Sequence, residues 1–173
     1  MSALSALYIV LPLPMLFLVH GLEELATQRR WMARNATLRQ RFPNLLRHVA
    51  ALDTKAFALV VAEEFLLLCA ATALPLVSTA RPAMWIWLAA FGAFALHLPV
   101  HLAQAIAVRG YTPGAITAVL YLPWAVYAFR SVLLGFSAME VAVCTLVGAV
   151  VFGANRLLAR KAAFKIGGLI SSH

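Results

Sequence analysis

The run His20-Gly21-Leu22-Glu23-Glu24 places an imidazole three and four residues ahead of two carboxylates. On a helix these side chains project within a sector of about 100°. Glu63 and Glu64 form a second carboxylate pair. Being adjacent, they diverge by about 100°, so one of them points straight into any shared site. His97 and His101 are four residues apart and share a helix face, which Gln104 continues. Imidazole and carboxylate together suit iron, zinc or manganese, and carboxylate-rich bundle cores hold pairs of iron or manganese ions. His20, Glu23, Glu24, Glu63, Glu64, His97 and His101 are therefore candidate ligands for one or two divalent transition metals, with iron favoured. A carboxylate left over from each pair would move protons, because a dry pocket raises its pKa. Glu24 and Glu64, with Tyr121, are the candidate catalytic groups.

Each feature also has a plainer reading. A lone intramembrane His can be a hydrogen-bonded packing residue. His20 to Glu24 can be an interfacial helix end facing Arg29 and Arg30. Glu63 and Glu64 can face a metal-free, water-filled cavity. Pro99 can be only a kink, Glu140 only a solvated residue near the outer boundary, and Tyr121 and Trp124 only packing. The metal reading draws its weight from depth, which depends on the elements that carry these residues.

Those elements are membrane spans. Apolar residues make up 64% of the 173-residue chain and charged residues 12%, against about 45–50% apolar in soluble domains. That composition excludes a soluble monomer, disorder and a disulfide scaffold. Cys69 and Cys144 lie in apolar runs and read as small core residues. Five stretches, about 4–25, 56–77, 84–107, 114–134 and 138–155, approach the 20 or so apolar residues that a transmembrane helix needs. The expected fold is an all-α, five-helix transmembrane bundle forming a single membrane domain over residues 1–173. The first stretch has no basic leader and no small-residue cleavage site, so it reads as a span and not as a cleaved signal.

Of 14 basic residues, seven lie between spans one and two and four, Arg156, Arg160, Lys161 and Lys165, in the tail. The positive-inside rule then puts the N-terminus outside and the C-terminus in the cytoplasm. The same distribution argues against nucleic acid as the partner of a chain with net charge +8 and for anionic lipid. Within the connection 29–55, Leu38, Phe42, Leu45, Leu46 and Val49 recur at helical spacing between arginines, the pattern of a cytoplasmic interfacial helix started or bent by Pro43.

Depth follows from the 1.5 Å rise per helical residue. His20 and His101 lie about 9 Å from the cytoplasmic ends of their spans, Glu63 about 12 Å and His97 about 15 Å. The polar residues of three spans thus fall in one inner-leaflet layer, joined by Thr117, Tyr121 and Trp124 of the fourth. Each buried charge costs at least about 2.5–3.5 kcal/mol, which a metal, a cation partner or protonation would offset.

His20-Gly21-Leu22-Glu23-Glu24 near the end of a first span resembles the HXXEE family of small bacterial membrane proteins. Gly110-Tyr111-Thr112-Pro113-Gly114-Ala115-Ile116-Thr117 is similar to a second stretch of that family. His97-Leu98-Pro99-Val100-His101 stands where the family's N-x-x-x-H motif falls, with His97 replacing Asn. The resemblance implies a membrane-embedded protein, open to metal dependence, and no particular reaction.

Three classes of function follow. A membrane metalloenzyme would act on a lipid or other hydrophobic substrate, by iron-dependent oxidation ahead of zinc-type hydrolysis. A transporter of metal ions or protons would need a polar path through the outer half, where Leu66–Leu76 and Trp85–Phe94 are apolar. A binding or assembly subunit could hold haem or quinone, although His97 and His101 share a face and cannot be the two axial ligands of one haem. The expected location is a bacterial inner membrane, and both a monomer and an oligomer are open.

Overall fold

The computed structural model describes residues 3–43 and 54–170, and every regular element among them is a helix. The helices are α1 (Ala3–Val10), α2 (Pro12–Arg34), α3 (Ala36–Arg41), α4 (Thr54–Val77), α5 (Arg81–Val108), α6 (Ala115–Val132) and α7 (Ala138–Ile170). Five stretches are long and apolar enough to cross a membrane: Leu7–Arg34, Thr54–Val77, Arg81–Val108, Ala115–Val132 and Ala138–Ala159. α2 and α7 run on well beyond residues 25 and 155. Residues 44–53, which hold Leu45, Leu46 and Val49 of the expected interfacial helix, lie outside the described residues.

The helix ends follow local chemistry. Pro12 at the first position of α2 has no N–H to donate, so the ladder from α1 breaks there although Leu11 stays helical. α5 closes in a Schellman motif. Arg109 takes the left-handed conformation at φ 54°, its N–H reaches Ile106 O, and the Gly110 N–H reaches Ala105 O. α7 opens with a capping box. Ser137 N–H donates to Glu140 Oε2 at 2.9 Å and Glu140 N–H donates to Ser137 Oγ at 3.2 Å. Glu140, expected only to be solvated, also accepts from Arg81 at 2.8 Å and so ties the start of α5 to that of α7.

α5 is the central helix, packed against α4, α6 and α7, with α7 its most extensive neighbour. Small residues permit that contact. A Cβ on Gly92 would come within 2.5 Å of Thr145 Oγ1, and one on Gly148 would overlap the Ala89 carbonyl. In a bilayer, where apolar surface gains little by leaving lipid, such close backbone approach is a main source of helix association. Trp87, Leu88, Phe91, Phe94 and Leu98 of α5 fill the core, with Leu13 and Phe17 of α2 and Leu68 of α4. Leu66, Val77, Leu134 and Val150 are exposed, as lipid-facing residues would be. Cys69 and Cys144 are free thiols, half-buried among apolar neighbours.

Candidate metal centre

Three helices supply the site. α2 brings His20, Glu23 and Glu24; α5 brings His97 and His101; the start of α6 brings Gly114 and Thr117. His20 and His101 are buried, at 1% and 3% exposure. Their Nε2 atoms are 3.3 Å apart, and His97 Nε2 lies 2.9 Å from that of His101. Glu24 Oε1 is 3.6 Å from His101 Nε2. One ligand atom from each of these four residues lies within 4.8 Å of the others. In a tetrahedron with bonds of about 2.0–2.1 Å, ligand atoms sit about 3.3 Å apart. The spacing therefore fits a single ion with little movement.

The hydrogen bonds behind the rings fix which nitrogen faces the group. The Pro113 carbonyl can only accept, so His101 Nδ1–H donates to it at 2.8 Å. The Thr117 hydroxyl lies 2.6 Å from Glu23 Oε2, an acceptor, and 2.7 Å from His20 Nδ1. Its one hydrogen goes to the carboxylate, so it accepts from His20 Nδ1–H. When both rings are neutral, they present bare Nε2 lone pairs to each other across 3.3 Å. A His97 Nε2–H could donate to His101, but His20 would still face a lone pair. A metal ion between them, or a proton on one Nε2, would resolve the conflict. Outer partners that fix tautomer and ring orientation are the usual support of metal-binding histidines.

Glu23 therefore acts behind His20. Its carboxylate accepts from the Ile116 N–H at 3.2 Å and the Thr117 N–H at 2.8 Å. α6 starts after Gly114, which has no side chain to cap with, so a carboxylate from another helix satisfies two of its free N–H groups and meets its positive end. The Tyr111 hydroxyl donates to Glu23 Oε1 at 2.9 Å and also lies 3.0 Å from Thr27 Oγ1. Burial pushes the Tyr111 phenol pKa up, and the negative Glu23 beside it adds to the shift. Tyr111 thus remains a donor across the neutral range. Trp31 Nε1–H holds the same turn through the Tyr111 carbonyl at 2.6 Å.

Gly114 is required twice over. Its φ of 84° is left-handed, and a Cβ there would stand 2.8 Å from His101 Nδ1 and 2.9 Å from His20 Cε1.

The other expected site residues have different partners. Glu63 Oε2 accepts from Asn155 Nδ2 at 2.9 Å. Glu64, 1% exposed, faces Arg156 Nε at 3.9 Å. These two contacts link α4 to α7 and stand apart from the four-residue group. Tyr121 and Trp124 pack against the apolar core, Trp124 edge-on to Phe91 at 5.4 Å. Of the polar layer expected on α6, only Thr117 joins the histidines.

A cleft of about 280 Å³ opens beside the group, lined by Glu24, His97, His101 and Arg156 together with Phe57, Leu96, Val100 and Phe152. Leu96 and Val100 are exposed, so the cleft faces the lipid side of α5. Sequence reasoning missed Pro113 and Gly114 as parts of the site, although Thr-Pro-Gly is a turn signal. It also counted Arg156 only as a topology charge.

A family model described as a protein of unknown function with HXXEE motif matches residues 11–128, a stretch that holds all four residues of the group. No curated protein and no solved structure matches the chain.

Proposed function

We propose that this chain, which belongs to the HXXEE family of proteins of unknown function, is a membrane-embedded metal-dependent enzyme acting on a hydrophobic substrate. One divalent transition metal would be held by His20, His97, His101 and Glu24. The observation that carries this is the convergence of four ligand atoms within 4.8 Å, two of them imidazole nitrogens whose lone pairs are turned inward by Pro113 and Thr117.

A second ion would need Glu23, Glu63 or Glu64, whose carboxylates are engaged with Thr117, Asn155 and Arg156. The reading is therefore one metal instead of a pair. Three imidazoles and one carboxylate suit iron or zinc. Bound there, the metal would supply Lewis-acid activation, and iron would add oxygen chemistry. Without a carboxylate-bridged pair, oxidation loses its lead over hydrolysis. Glu24 is the carboxylate that both lines the cleft and meets His101, so the oxygen it does not give to the metal would accept or return a proton at the substrate. His20 would stay neutral and oriented through Thr117 and Glu23.

The site would lie in the inner leaflet of a bacterial inner membrane, with the N-terminus outside, the C-terminus in the cytoplasm, and the basic connection and tail against anionic lipid. Phe17 and Phe94 pack on the other side of the histidines, with Phe94 edge-on to His20 at 5.8 Å. That apolar layer supports an enzyme over a transporter.

Elemental analysis of protein purified in mild detergent without chelator tests the reading. About one equivalent of iron or zinc is expected, absent after His20→Ala. Wild-type protein without any transition metal, and with no thermal stabilisation on adding one, would sink it. A periplasm-active reporter fused to the C-terminus should be silent.

A further inference from the structure

Arg156 belongs to the cleft and not to the group of four. It lies inside α7, its side chain is 20% exposed, and it lines the same cleft as His97, His101 and Glu24. Its Nε is buried and makes no hydrogen bond with the described residues, and its contact with Glu64, at 3.9 Å, is beyond hydrogen-bonding distance. Arg156 falls near the end of the apolar stretch Ala138–Ala159, and an arginine inside such a stretch commonly marks a ligand path. The guanidinium carries five N–H donors in a fork that matches carboxylate and phosphate. Glu64 steadies the cation from behind without using up that fork.

Apart from Gln28 and Gln104, the rest of the cleft is apolar, and it opens past the exposed Leu96 and Val100. Its volume of about 280 Å³ is at the small end for ligand sites. It has room for a head group and the first part of one chain. Charge points the same way. Of the residues that line the cleft, Arg156 is the cation and Glu24 the carboxylate, and a divalent ion held with Glu24 would add positive charge beside Arg156. Resting on the metal reading above for that last point, we propose that the cleft takes a single-chain amphiphile with an anionic head. The carboxylate or phosphate is held by Arg156 beside the histidines, and the chain leaves past Leu96 and Val100 into the bilayer.

The test is competition against a fluorescent long-chain fatty acid bound to the full-length protein in neutral-lipid nanodiscs. Competitors are palmitate, palmitoyl lysophosphatidate and neutral monopalmitoylglycerol. Both anions should displace the probe at concentrations at least about tenfold below the neutral lipid, the size of one charge-assisted contact. Whichever anion wins identifies the head group as carboxylate or phosphate. Arg156→Gln should remove the preference while metal content stays at the wild-type level. Arg156→Lys should keep part of it, since the charge remains without the fork. Glu64→Gln should strengthen anion binding severalfold by freeing the cation, and it serves as the arm to read if Arg156→Gln does not fold. Equal displacement by neutral and anionic lipids, or a preference untouched in both Arg156→Lys and Glu64→Gln, would overturn the proposal. Metal-free protein that still shows the Arg156-dependent preference would fail the metal reading and leave this one standing.

Discussion

Two helix starts in this molecule are capped by glutamate, and they differ in what lies behind the cap. At α7, Glu140 closes a box with its own Ser137 and pairs with Arg81, whose side chain is 58% exposed. At α6, Glu23 reaches in from α2, takes the Ile116 and Thr117 N–H groups, and meets the Thr117 hydroxyl. The local chemistry is the same: a carboxylate, a hydroxyl and the positive end of a helix. The first network ends at an exposed cation and holds two helices together. The second continues through the hydroxyl to the buried His20 ring. A carboxylate at a helix start therefore says little about function until the next group in line is known.

The largest expected effect comes from removing that next group. His20→Ala or His101→Ala should reduce bound metal to background, and added metal should no longer raise the unfolding temperature as it does for wild type. Gly114→Ala follows. The left-handed backbone alone costs about 1–3 kcal/mol, and the methyl must push both imidazoles aside, so thermal unfolding and metal content should fall together. Loss of stability with full metal retention would show that the rings are not held by this turn. Thr117→Val keeps the shape and deletes the hydroxyl. Metal affinity should drop about 10–100-fold, the usual size for an outer partner of a metal-binding His, as measured by chelator competition. The smallest effect belongs to the other cap. Glu140→Gln should leave metal content unchanged and lower the unfolding temperature slightly. If Glu140→Gln and Thr117→Val behaved alike, the contrast between the two caps would be lost.

The spans were legible because apolar composition and span length are read directly from sequence. The four residues of the group were legible because imidazoles and carboxylates are out of place in such helices. What the chain did not reveal was the division of labour within each Glu pair. Adjacent residues diverge by about 100°, so each pair must serve two neighbours, and the neighbours are set by tertiary structure. Glu23 turns to α6 because α6 happens to begin at its level, behind a glycine that cannot cap it. Glu24 turns to the histidines. Glu63 and Glu64 meet Asn155 and Arg156 because α7 does not stop where its apolar run ends. In the sequence Arg156 looks like a topology charge, because a basic residue just past an apolar stretch ordinarily is one.

The site draws on residues far apart in sequence: His20 and Glu24 on α2, His97 and His101 on α5, and the turn through Pro113 and Gly114 into Thr117 of α6. During synthesis the first span would enter the bilayer with an imidazole and two carboxylates, and none of its partners would yet exist. Only when residues up to Thr117 have been made and inserted can the rings be aimed. An ion held by this group would therefore load late in biogenesis. Until then the early spans would carry their charged residues without these partners.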